Sequence, residues 1–86
     1  MGGITDYLNS CALCAAYDQP VSSHLFTEAS AHVLAAQPHA LMLEHMEWWE
    51  ELFTDPLMVE DGAVVMPDGP GLGLTLAPDA LTRFAV

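Results

Sequence analysis

His24 and Glu44 are the residues whose types and settings point most directly to acid–base chemistry. His24 follows Val21-Ser22-Ser23, a short segment after Pro20, and Glu44 follows the apolar run Ala40-Leu41-Met42-Leu43. If both segments are strands, each side chain emerges at a C-terminal strand end, where α/β folds build their sites. Adjacent parallel strands would aim the imidazole and the carboxylate into one mouth, which is the placement that proton transfer needs.

Other groupings compete with this one. His24, Glu28 and His32 recur at four-residue steps, so on one continuous helix they would share a face and could ligate a divalent metal. Two further readings are a helix that begins after His24 and a plain amphipathic helix, since three ligands without a fourth are a weak metal signal. Cys11-Ala12-Leu13-Cys14 is formally a CxxC, yet it falls in the middle of a helical pattern with no second pair, which is how small core residues look. Gly69-Pro70-Gly71-Leu72-Gly73 lacks the Lys-Ser/Thr and the following helix of a phosphate cradle, so it reads as a tight turn. Glu47, Glu50 and Glu51 read as a solvated acidic face.

The elements that would hold His24 and Glu44 follow from periodicity. Ile4, Leu8, Cys11, Leu13, Cys14 and Ala15 predict a helix over Ile4 to Tyr17, capped by Thr5 or Asp6 and ended by Asp18-Gln19-Pro20. A strand is predicted at Val21 to Ser23, a helix over Leu25 to Ala36, and a strand at Ala40 to Leu43. This alternation is that of a βαβ unit with a parallel sheet. Glu47 to Phe53 predicts an acidic, aromatic helical turn, and Asp61-Gly62 predicts a type I′ hairpin between Leu57–Glu60 and Ala63–Met66. Leu74-Thr75-Leu76 predicts a short strand, and Pro78-Asp79-Ala80-Leu81 opens a C-terminal helix.

Composition narrows the function classes. With a formal net charge of -11 and Arg83 as the one Lys or Arg, the chain lacks the basic patch that nucleic acid requires. No stretch approaches the run of about 18 apolar residues of a membrane span, and no signal peptide is evident, so the expected location is the cytoplasm. Hydrophobic residues make up 52% of only 86, an apolar share suited to a piece of something larger. The expected consequence is self-association.

Ser22-Ser23-His24-Leu25-Phe26, Glu28, Ser30-Ala31-His32, Leu43-Glu44, Pro67-Asp68 and Pro70-Gly71-Leu72-Gly73, with Gly2-Gly3-Ile4-Thr5 at the start, are similar to the C-terminal segment of the enolase superfamily, mandelate racemase branch. The resemblance implies an α/β fold, the C-terminal fragment of a (β/α)7β TIM-type barrel. Residues 1–56 would be its last βα units, and residues 57–86 a hairpin, loop and short helix of the same domain. It implies a racemase or acid-sugar dehydratase that removes the proton α to the carboxylate of a small carboxylic acid or acid sugar through an enolate. His24 would be the strand-end acid or base. Glu44 would hydrogen-bond the substrate carboxylate, and to donate it must hold a proton. The family's Mg2+ ligands, second base and capping domain match nothing in this chain, nor does the aspartate that orients the histidine, which in the family precedes the Gly-Gly-Ile-Thr segment. Met1 is therefore expected to coincide with an internal position of a longer enzyme, and the chain alone to be inactive. The competing reading is a non-catalytic acidic interaction module.

Overall fold

A computed structural model describes residues 2–86. The chain forms two compact units, one running to His45 and one from Met46 to Val86. The first contains α1 (Ile4–Ala16), β1 (Val21–Ser22), α2 (Thr27–Ala35) and β2 (Ala40–Met42), and its two strands pair in parallel. The predicted alternation of helix and strand is therefore present.

α1 starts differently from expectation. Its N-cap is Gly3, with φ 125° and no side-chain cap, which places Thr5 and Asp6 inside the first turn. Glycine accepts that dihedral where a residue with a Cβ would be strained. The Asp6 carboxylate instead accepts the Gly2 N–H at 3.2 Å. Of the apolar positions of α1 only Cys11 is buried, and Ile4, Leu8 and Leu13 are exposed. α2 carries the core of this unit, with Thr27, Ser30, Ala31, Val33 and Leu34 all buried. The imidazole of His39, just ahead of β2, donates from Nε2 to the Cys11 carbonyl at 3.0 Å and so ties β2 to α1.

β1 and β2 are slipped by one residue, since Val21 pairs with Ala40 but Ser22 pairs with Met42. The extra residue, Leu41, makes a bulge in β2. Without it, one-for-one pairing would set His24 beside Leu43; with it, the register continues to His24 beside Glu44. The strand at Ala40 to Leu43 is not the buried strand its apolar run predicts. Leu41 and Met42 are 65% and 63% exposed, because the sheet has only these two strands among the described residues and nothing covers that side of it.

In the second unit a 3₁₀ helix, Glu47–Leu52, forms the expected acidic, aromatic turn. Its three-residue period stacks Trp49 with Leu52 on one side and Glu47 with Glu50 on another. β3 (Met58–Glu60) and β4 (Ala63–Val65) form the predicted antiparallel hairpin. Asp61 and Gly62 both have positive φ, as a type I′ turn demands. The segment at Leu74 to Leu76 makes only a single bridge, Leu76 to Phe53, rather than a strand. α3 (Ala80–Phe84) follows, and Arg83 reaches Glu51 at 2.6 Å and Asp79 at 3.3 Å. These are exposed pairs that add little stability each.

The glycine-rich loop is a structural turn, closed by the Gly73 N–H donating to the Pro70 carbonyl at 3.0 Å. Gly73 has φ +70°, and a Cβ there would lie 2.7 Å from Cβ of Pro67. Gly73→Ala therefore meets both a left-handed backbone and a rigid ring, and should cost about 2 kcal/mol or more. Urea unfolding of the two proteins checks this, with a lower midpoint expected for the variant.

Among the described residues, no helix is long and apolar enough to cross a membrane.

Candidate functional site

His24 lies beyond the end of β1 and ahead of α2, and Glu44 lies two residues past β2. Nδ1 of His24 is 3.0 Å from Oε2 of Glu44. The structure thus brings together the two residues that strand-end reasoning had paired. The His24 side chain is 82% exposed and that of Glu44 38%, so the imidazole is open to a small molecule while the carboxylate is half-buried behind it.

The hydrogen bonds around the pair decide which atoms remain for chemistry. Oε2 of Glu44 accepts the backbone N–H of Leu25 at 2.6 Å and faces Nδ1 of His24. With Nδ1–H donating to Glu44, the lone pair of the imidazole sits on Nε2. Oε1 of Glu44 makes no hydrogen bond among the described residues and is the oxygen left to face a ligand.

Two residues between His24 and α2 have unusual backbones. Leu25 and Phe26 both adopt left-handed φ, 56° and 47°. Each non-glycine residue there costs roughly 1–2 kcal/mol, so the surroundings must hold the turn in place. Four contacts do so. Glu44 takes the Leu25 N–H, Ser30 Oγ donates to the Leu25 carbonyl at 3.0 Å, Thr27 Oγ1 donates to the Glu44 carbonyl at 3.2 Å, and the Glu44 N–H donates to Ser23 Oγ at 2.8 Å. The predicted helix from Leu25 therefore begins two residues late, at Thr27. Sequence reasoning missed Ser23, Thr27 and Ser30 as parts of the site, and nothing in the types of Leu25 and Phe26 signals a left-handed turn.

The same turn removes the metal-binding helix. His24 is outside α2, so the spacing of His24, Glu28 and His32 no longer puts them on one helical face, and they form no ligand group. The cysteines are free thiols, Cys11 buried and Cys14 partly exposed. Burial, followed by the neighbouring Cys14, pushes the Cys11 thiol above its ordinary pKa, so less of it is thiolate at any given pH. Alkylation of the native chain near pH 8 should label Cys14 first and Cys11 only after denaturant is added, as peptide mass spectrometry would show. Equal native labelling would contradict the packing of α1.

A parallel βαβ unit whose strand ends carry a paired histidine and glutamate defines a class, the parallel α/β proteins that build their sites at the C-terminal strand ends. Comparison with known proteins agrees. A family model described as enolase C-terminal domain-like matches residues 1–80, and the chain belongs to that family. L-talarate/galactarate dehydratase of Salmonella typhimurium strain LT2 is 36% identical over 80 residues, covering 93% of this chain and 20% of that protein. An enolase from Bradyrhizobium, solved with magnesium and mandelic acid, is 44% identical with a TM-score of 0.83, over 95% of this chain and 22% of that one. L-talarate dehydratase from Polaromonas sp. JS666, solved with Mg and L-glucarate, is 35% identical with a TM-score of 0.86, over 95% and 23%. The chain has the α/β fold of the C-terminal part of an enolase-superfamily TIM-type barrel and spans about a fifth of the length of these relatives.

Magnesium is held in the Bradyrhizobium and Polaromonas relatives, but the His24–Glu44 pair does not by itself form a site for it. The ion wants a near-octahedral set of oxygens. Glu44 is the carboxylate at the pair, its Oε2 is already bonded to the Leu25 N–H, and it belongs to no cluster of three possible ligands.

Proposed function

We propose that this chain supplies the histidine and glutamate of an enolase-superfamily active site that removes the proton α to a carboxylate, in a racemase or dehydratase of α-hydroxy or sugar acids. The observation that carries the reading is the 3.0 Å approach of His24 Nδ1 to Glu44 Oε2 beyond the ends of two parallel strands. His24, with its lone pair on Nε2 and its ring open to solvent, takes or returns the α-proton. Glu44 donates from Oε1 to the substrate carboxylate, whose charge grows as the enolate forms. Magnesium, when bound by residues elsewhere in such an enzyme, supplies the Lewis acid that neutralises that charge.

On this reading residues 1–56 are the last βα units of the barrel and residues 57–86 its closing tail. The 86 residues alone are inactive, because neither the metal ligands nor a second base are among them.

The test is a chimera in which the 80 matching residues of the Salmonella dehydratase are replaced by those of this chain. Exchange of the α-proton of galactarate in D2O, or its dehydration, is the expected result. A folded chimera with neither activity would overturn the proposal. Sequencing the DNA upstream of Met1 separates the rival acidic interaction module: in-frame codons for an acidic metal-ligand set and a lysine motif belong to the enzyme alone.

A further inference from the structure

We infer that Thr27 is a positioning residue for the His24–Glu44 pair, acting through a hydroxyl clamp that it forms with Ser23 and Ser30. The inference rests on the reading of His24 and Glu44 as the reacting pair.

Thr27 is the first residue of α2, and its side chain is only 1% exposed. A threonine there would ordinarily serve the helix terminus, yet α2 has no side-chain cap, and Phe26 occupies the N-cap position in a left-handed conformation. The Thr27 hydroxyl instead crosses to the far strand and donates to the Glu44 carbonyl. Ser30, also buried, bonds back past the N-terminus of α2 to the carbonyl of Leu25. Buried hydroxyls cost stability unless bonded, so the bonds they make report what the packing is arranged to hold. Here both are spent on the two segments that carry His24 and Glu44.

The result is a backbone held at both of its polar groups. The Glu44 N–H is fixed by Ser23 Oγ and its carbonyl by Thr27 Oγ1. Its carboxylate is then aimed at the Leu25 N–H and at Nδ1 of His24. Loss of the Thr27 donor would free the carbonyl end and let Glu44 swing, without touching any group that meets substrate. Displacements of this order reduce turnover more than binding, because alignment counts most in the transition state.

Thr27→Val keeps the shape and removes the donor, and Thr27→Ser keeps the donor. In the 86-residue chain at low salt, hydrogen exchange should show the Leu25 amide exchanging about ten-fold faster in Thr27→Val, with the Val33 and Leu34 amides unchanged and Thr27→Ser restored. In the chimera, Thr27→Val should lower kcat by about 10- to 100-fold with KM changed by less than about three-fold, and Thr27→Ser should recover most of the loss. An unchanged Leu25 amide, or a loosening of all of α2 that Thr27→Ser does not rescue, would overturn the clamp. If the unsubstituted chimera is inactive, the proposed function fails, and the exchange measurement on the chain alone still decides the clamp.

Discussion

His24→Asn in the chimera is expected to reduce the rate of α-proton exchange by about 10²- to 10⁴-fold, the usual worth of a positioned general acid or base. Asparagine keeps a donor near the position of Nδ1, so the contact to Glu44 survives while the basic nitrogen is lost. Its effect should therefore fall on kcat rather than on folding, and the thermal unfolding midpoint should barely move, since the imidazole is 82% exposed. Glu44→Gln should also be costly, by about 10²-fold, because an amide N–H is a weaker donor to the developing charge than a carboxyl O–H. Isotope exchange followed by NMR reads both variants. The 86-residue chain by itself should give no exchange under the same conditions. Full activity in His24→Asn would remove His24 from the chemistry.

Self-association of the isolated chain, growing with ionic strength, is the second large effect expected. The β1–β2 sheet has two strands among the described residues, so each leaves one edge without a strand partner, where backbone groups not already bonded, as the Ser22 carbonyl is by the Tyr7 hydroxyl, can recruit another chain. Leu41, Met42 and Phe26 of the same unit are 65%, 63% and 67% exposed, and Trp48 of the other unit is 65% exposed. Apolar surface of this kind ordinarily marks a contact with another protein segment. The net charge of -11 opposes association at low salt. Its reach shrinks from about 10 Å at 0.1 M to about 3 Å at 1 M, whereas edge pairing and apolar contact are not screened. Sedimentation velocity should show the mean mass rising between those two conditions. A cooperatively unfolding monomer at both would mean that these edges and apolar side chains do not drive association.

Much of the fold could be read in advance, for physical reasons that differ from element to element. Asp61-Gly62 set the hairpin because a type I′ turn needs two positive φ values and these residues accept them. Pro20 and Pro38 bracketed β1 and α2 because proline excludes the helix on its N-terminal side. His24 and Glu44 could be paired because each follows a short strand-forming run in a helix–strand alternation, and parallel strands present their C-terminal ends together. The enolase relationship was likewise carried by the order and spacing of short motifs from Gly2 to Gly73.

Tertiary structure alone decided the rest. The one-residue bulge at Leu41 that brings Glu44 level with His24 is a property of two strands at once, and neither sequence segment contains it. Leu25 and Phe26 look like the start of a helix by residue type. They take left-handed dihedrals in a turn held by Glu44, 19 residues on from Leu25, by Ser30, five residues on, and by Thr27, whose hydroxyl ties the turn to the Glu44 carbonyl 17 residues further along the chain. That same turn moved His24 off the helix and so dissolved the metal face that its spacing with Glu28 and His32 implied. Local spacing fixes which residues share an element, but a site assembled from hydrogen bonds between elements exists only once the elements have packed.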